Sequence, residues 1–190
     1  MKTFFTILII FGLFSCNSVS SQSLQDTKDY INEKIEANPP LGNIVNKVWF
    51  KDDINLEFLS YVLGIQATED YLSDDLIIFC RTQYSGSNRS KFLFANYFTF
   101  HIGDISKVSI SPNTTIKDAT AYNINLYLVE KPLAVKFVEY SIGDNEYHLD
   151  FGRKIDIIIG GDESLAKKLK SAFIHFGSLY KITIKDGDVF

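Results

Sequence analysis

Cysteine, histidine and clustered basic residues are scarce in this chain of 190 residues, and each scarcity excludes something. There are two cysteines, Cys16 and Cys80. With Cys16 acylated or removed at the N-terminus, Cys80 has no partner, so no internal disulfide staples the fold and stability must come from the core. The three histidines, His101, His148 and His175, lie far apart and share no metal-ligand spacing. No Lys/Arg run offsets a formal net charge of −4. Nucleic-acid binding needs a clustered basic face, and anionic lipid needs about four or more neighbouring cations, so both are excluded as expectations. A Gly-x-Ser-x-Gly elbow, a P-loop and a His-Glu-x-x-His are all absent, so no motif implies an enzyme or a cofactor.

What is present begins at the N-terminus. Lys2, an uncharged run over residues 4–14, and the polar stretch from Asn17 to Gln22 have the layout of an export signal. The apolar run is well short of the roughly twenty residues that a membrane span needs. We divide the chain into a signal at 1–21 and one globular domain at 22–190. A domain of this length buries about 70% of the surface of its unfolded chain. Sixteen Phe and ten Tyr in a composition that is 46% hydrophobic supply the material.

Leu13-Phe14-Ser15-Cys16 resembles a bacterial lipobox, in which a small residue precedes a cysteine that is diacylated and becomes the mature N-terminus. Ser15 and Cys16 fit that pattern, whereas Phe14 stands where a small or aliphatic residue is usual. The resemblance implies lipid attachment at Cys16, a Gram-negative envelope lipoprotein and, from Asn17, passage to the outer membrane. Val19-x-Ser21 offers the other outcome, ordinary cleavage before Gln22 and plain secretion.

The body of the chain reads as β-rich with a helix at each end. Leu24, Thr27, Tyr30 or Ile31, and Ile35 fall at helical spacing over residues 24–38, and Pro39-Pro40 stops the helix. Alternation predicts half-buried strands at 44–50 and 54–62, followed by an acidic loop at 68–75. Strands are expected at 76–84, 92–101, 105–111, 122–129, 133–140, 147–151 and 154–159, the first two as a hairpin about a turn at 85–90. A closing helix is capped by Asp162 or Ser164, and Leu165, Ala166, Leu169, Ala172, Phe173, Phe176, Leu179 and Tyr180 share its apolar arc. Ile174 falls on the opposite, lysine-bearing side, and the tail at 181–190 could add one more strand. The fold expected is α+β: a mostly antiparallel sandwich or open barrel with a short N-terminal helix and a C-terminal amphipathic helix that closes it.

The order of elements over residues 92–180, with Gly-Asp-Ile-Ser-Lys-Val-Ser-Ile at 103–110, resembles a pleckstrin-homology-like domain. It is also similar to a helix-grip ligand-binding fold. The phosphoinositide site of some pleckstrin-homology domains wants basic residues in the first hairpin, and here Asp52 and Asp53 follow Lys51. Neither resemblance licenses a function by itself.

The candidate chemical groups mostly have plain readings. Cys80, in Leu76-Ile77-Ile78-Phe79-Cys80-Arg81, reads as a buried small hydrophobe and not a nucleophile. His148 and Asp150 read as a polar pair on one strand face, and Lys167, Lys168 and Lys170 as a solvated helix face. Gly160-Gly161 reads as part of a helix cap because Asp162 and Glu163 would repel an anion there. Asp186-Gly187-Asp188 lacks the other acids of a calcium loop and reads as a turn. Asn88-Arg89-Ser90 and Asn113-Thr114-Thr115 match the glycosylation pattern, which matters only in a eukaryotic secretory route. The expectation is an exported, envelope-associated binding module without a catalytic site, attached to the membrane through its lipid alone. Its partner is another envelope protein or, if the chain is a carrier, a small apolar ligand held between curved sheet and final helix. A packed interior favours the first and a large internal cavity the second.

Overall fold

The computed structural model describes residues 23–86, 89, 91–116, 119–129, 136–141, 147–150 and 152–188, with backbone alone at 136–141 and 147–150. The expected signal at 1–21, with Cys16, lies outside these residues, as do Gln22 and, in the expected turn, Ser87, Asn88 and Ser90. So do 133–135 and Phe151 at the ends of two expected strands.

Ser23 starts the first helix, α1 (Leu24–Ala37): its hydroxyl accepts from the Asp26 amide at 3.0 Å while Asp26 accepts from the Ser23 amide at 3.1 Å. Thr27, Ile31 and Ile35 form the buried stripe, and the helix ends at Asn38, before Pro39-Pro40. Strand β1 (Ile44–Phe50) follows with strict alternation of burial.

The strand expected at 54–62 is instead helix α2 (Leu56–Leu63). Asn55 caps it, Oδ1 accepting from the Phe58 amide at 2.8 Å, and Gly64 closes it in the left-handed region at φ 63°. Leu59, Val62 and Leu63 are buried, a helical spacing that coexists with the every-second-residue pattern. The two end signals decide between the periods.

Five strands form one antiparallel sheet in the order β1, β2 (Leu76–Ser85), β3 (Lys91–His101), β6 (Lys136–Ser141), β7 (Tyr147–Asp150). The second sheet runs β8 (Lys154–Gly160), β5 (Ala121–Leu128), β4 (Ile105–Pro112), β9 (Lys185–Asp186), with only β9 parallel to its neighbour. Helix α3 (Glu163–Leu179) begins at Asp162, whose side chain accepts from the Leu165 amide at 2.8 Å. The protein is therefore α+β, with two largely antiparallel sheets that do not close into a barrel and a C-terminal helix in the expected place.

Cross-strand rows organise the first sheet. Phe50, Ile77 and Phe100 form one row and Val48, Phe79 and Phe98 the next, all facing the main core. The third row on that face is polar: Asn46, Arg81, Asn96. Its purpose lies in the other sheet. Asn46 Nδ2 donates to the Ile158 carbonyl at 2.9 Å, Arg81 donates to the Asp156 carbonyl, and the Gly160 amide donates to the Asn38 carbonyl at 2.9 Å. Residues 156, 158 and 160 alternate, so these groups all point away from β5, along the otherwise unpaired edge of β8. Strand β8 thus crosses β1 and β2 at a steep angle, and the polar row satisfies an edge that would otherwise be buried unpaired.

The main core gathers Phe79, Phe100, Phe173 and Phe176, each at most 1% exposed, with the isoleucines of β8 and of α1. A second cluster lies beneath α2, where Trp49 meets Phe58 at 5.0 Å between ring centres. Three helix expectations need correction. Ile174 is not on an exposed face but packs, partly buried, against the main core, and Leu179 is exposed. Lys170 does not belong to a solvated face: it is 8% exposed, and its ammonium bonds Asp186 at 2.9 Å and Asp188 at 2.5 Å. Among the described residues of the tail, Lys185–Asp186 alone form a strand, β9, and this clip and the Gly187 amide on the Val108 carbonyl at 2.7 Å hold it to β4.

Candidate functional site

Helices α1 and α3 lie antiparallel. Asn38, just past α1, meets Gly160, two residues ahead of the α3 cap; at the other end Lys28 of α1 and Phe176 of α3 both border the Phe50 ring, at 5.8 and 5.3 Å. Between them runs a groove of about 700 Å³. Tyr30 forms its α1 wall. Its α3 wall follows one stripe from Glu163 to His175, about 18 Å at the helical rise of roughly 1.5 Å per residue.

The lining residues are mostly polar, with Tyr30 and Ala172 the aromatic and apolar members. Lys167 is engaged by Glu163 one turn back, at 2.8 Å, and this carboxylate raises its pKa. Lys34 sits 5.7 Å from the Tyr30 ring centre and is bonded to Glu33 at 2.5 Å. Lys168 is exposed and has no such acid among the described residues. His175 turns Nε2 to a buried position where it has no hydrogen-bond partner. The groove lining therefore carries one acid-paired ammonium group, Lys167, one ammonium with no acid partner among the described residues, Lys168, the His175 ring and the side chains of Ser164, Ser171 and Tyr30.

A second constellation looks more like chemistry than it is. Ser73 Oγ lies 2.6 Å from Asp75 Oδ1 and 2.7 Å from His101 Nδ1, and His101 Nδ1 lies 3.1 Å from Asp75 Oδ1. A nucleophilic relay needs its serine and its acid on opposite ring nitrogens; here both crowd onto Nδ1. The Ile102 amide also donates to the Asp75 carbonyl, at 3.0 Å. The cluster ties the acidic loop to the turn after β3. Burial works to raise the Asp75 pKa, but the bonds from Ser73, His101 and the Gly103 amide outweigh it and bring the pKa down.

The other predicted residues resolve as structure. Cys80 is 3% exposed, burial raises its thiol pKa, and Sγ lies 3.5 Å from Thr82 Oγ1. His148 stands opposite Glu139 in register and Asp150 opposite Phe137, on strands whose side chains lie outside the description. Gly161, at φ 116°, turns the chain into the capped helix, and Asp186-Gly187-Asp188 holds Lys170. Asn113 is occupied by bonds from the Thr115 and Ile116 amides. Among the described residues no group of three or more His, Cys, Asp or Glu could hold a metal, and no helix is long and apolar enough to cross a membrane.

Sequence reasoning missed the groove. It had named Tyr30, Glu163, Ser164, Lys167, Lys168, Ala172 and His175 separately, as helix-face, cap or charged residues, but nothing local indicates that Tyr30, well over a hundred positions earlier, faces the others. No protein-family model, curated protein or solved structure matches the chain.

Proposed function

We propose that this chain is an exported, envelope-associated binding module, lipid-anchored through Cys16, that contacts another envelope protein through the groove between α1 and α3. The export signal at 1–21 and the lipobox-like Leu13-Phe14-Ser15-Cys16 support the address. Pleckstrin-homology-like identity is part of the proposal, supported by the two sheets and the C-terminal helix; α1, α2 and β9 are additions to that plan.

The observation that carries the reading is where the space is. A carrier of an apolar ligand needs room between the curved sheet and the last helix. In this protein Phe79, Phe100, Phe173 and Phe176 fill that position, and the 700 Å³ groove lies outside, against polar side chains. The test is a photoreactive residue at Ser171, with the same residue at exposed Thr114 as control, in cells that export the full chain. Crosslinking of one envelope protein from position 171 and not from 114 is expected. A stoichiometric apolar ligand in native mass spectrometry of the purified chain would replace this reading with the carrier. The anchor is tested separately: Cys16→Ala should release a folded protein from membranes, and an intact mass beginning at Gln22 without lipid would remove the lipoprotein claim.

A further inference from the structure

We infer that the C-terminal tail is an intramolecular block on the edge of β4, and that this strand pairs with β4 of a second copy when the tail leaves. The second sheet stops at that edge. Strand β5 lies on one side of β4, and on the other side the described chain supplies only Lys185–Asp186 as strand. Successive residues of a strand aim their backbone groups to alternate sides, so those of Val108, Ile110 and Pro112 face the edge. The tail meets them in turn. Val108 stands beside Asp186 in register, and its carbonyl accepts from the Gly187 amide at 2.7 Å. The Ile110 amide donates to Asp188 Oδ1 at 3.1 Å, a carboxylate in the place of a strand carbonyl. Pro112 has no N–H to leave bare.

Few contacts keep the block in place. Ile184 is 5% exposed and packs close against Gly177, but both residues of β9 beyond it are exposed, and Lys170 ties them down through Asp186 and Asp188. Uncovered, the edge presents donors and acceptors in alternation, which is a template for another strand. A second β4 fits that template. With the two-fold axis at Ser109, Val108 of each copy stands opposite Ile110 of the other and exchanges both hydrogen bonds with it, while Lys107 stands opposite Ser111. No charged residue then faces its own copy, and the Val108–Ile110 side chains of both copies share one face, so the two second sheets run on as one.

The experiment compares the full chain with one ending at Ile184 by analytical ultracentrifugation over a range of concentrations, both carrying Cys16→Ala so that no acyl chain associates them. The full chain should sediment as a monomer and the shortened chain at twice its mass, with the Ile110 amide slow to exchange in the dimer. Ile110→Pro in the shortened chain removes the edge-facing N–H and leaves the ladder to β5, so it should restore the monomer. A folded shortened chain that stays monomeric, a dimer that survives Ile110→Pro, or a full chain already paired through this edge would overturn the inference. Co-purification of a different polypeptide on the edge, in place of the second copy, would overturn it too. If the shortened chain does not fold, the full chain with Lys170→Met and Asp188→Ala decides. It keeps Ile184 but loses the clip and the bond to Ile110, and an unchanged monomer there would equally sink the block.

Discussion

Asn46 Nδ2 donates to the Ile158 carbonyl at 2.9 Å, and through this bond the inner face of one sheet holds the open edge of the other. Asn46 is 1% exposed, so nothing else can solvate that carbonyl once the amide is gone. Asn46→Ala should cost about 1–3 kcal/mol, measured by urea unfolding. An unchanged midpoint would mean that β8 is held by its other contacts alone.

Phe176 is 1% exposed and meets Phe50 and Tyr180 edge-on at 5.3 and 5.4 Å. Phe176→Ala should cost about 3–5 kcal/mol, enough to unfold many domains of this size. Ile174 packs partly buried against the same core, so Ile174→Ser should cost an intermediate amount, about 1 kcal/mol or more. Equal and negligible effects in the two melts would show that α3 does not close the core.

Two glycines are required by close approach. A Cβ on Gly160 would stand 2.6 Å from the Pro39 carbonyl oxygen, and one on Gly187 would stand 2.8 Å from Ser109 Cβ. Alanine at either site should destabilise by about 1–3 kcal/mol. The Gly187 variant should also free the tail, read as faster amide exchange at residue 187, whereas the Gly160 variant should leave that amide protected.

The clip around Lys170 has a pH window. Hydrogen bonds from Lys170 and from the Asp188 amide hold the Asp186 pKa down, so its contribution is present above the ordinary carboxylate pKa of about 3.9 and is lost as pH falls through the lower folded value. Burial pulls the Lys170 pKa down, but its bonds to Asp188 and Asp186 outweigh this and raise it. Its contribution is therefore complete below about pH 10.4 and is lost as pH rises through the folded value. Protection of the Gly187 amide, corrected for intrinsic exchange, should be flat near neutrality and fall in strong acid. Lys170→Met should loosen the tail already at pH 7 and weaken the acid dependence, since the Asp188 amide still bonds the Asp186 carboxylate.

Cys80 should react with a thiol reagent only as fast as the protein opens, since it is 3% exposed and its thiol pKa is raised by burial. Labelling of the native protein at the rate of a free thiol would contradict its place in the interior.

Much of the secondary structure was legible because its causes are local. Pro39-Pro40 and Asp162 ahead of an apolar arc marked the end of α1 and the start of α3, alternation marked β1, and an apolar run into a Gly/Ser/Asn turn marked the β2–β3 hairpin, whereas the Ser23–Asp26 cap was a local signal left unread. The failure at 54–62 is equally physical: an apolar residue at nearly every second position satisfies both periods, and the informative residues were Asn55 and Gly64 at the ends, not the pattern between them. Lys170 misled for a related reason, since helical spacing places it on a face but does not say that a tail sixteen residues later covers that face with two carboxylates.

By itself, then, the sequence determined an α+β chain with a buried Cys80 and a C-terminal helix that must hide an apolar arc. These follow from composition, caps and periodicity, which act within a few residues. Only the tertiary structure decided that β8 crosses β1 and β2 with its edge met by Asn46 and Arg81, and that Tyr30 faces Ser171 and His175 across a groove. Those relations join residues about 75 to 145 positions apart, and they arise from the packing of whole sheets and helices, on which no local propensity bears.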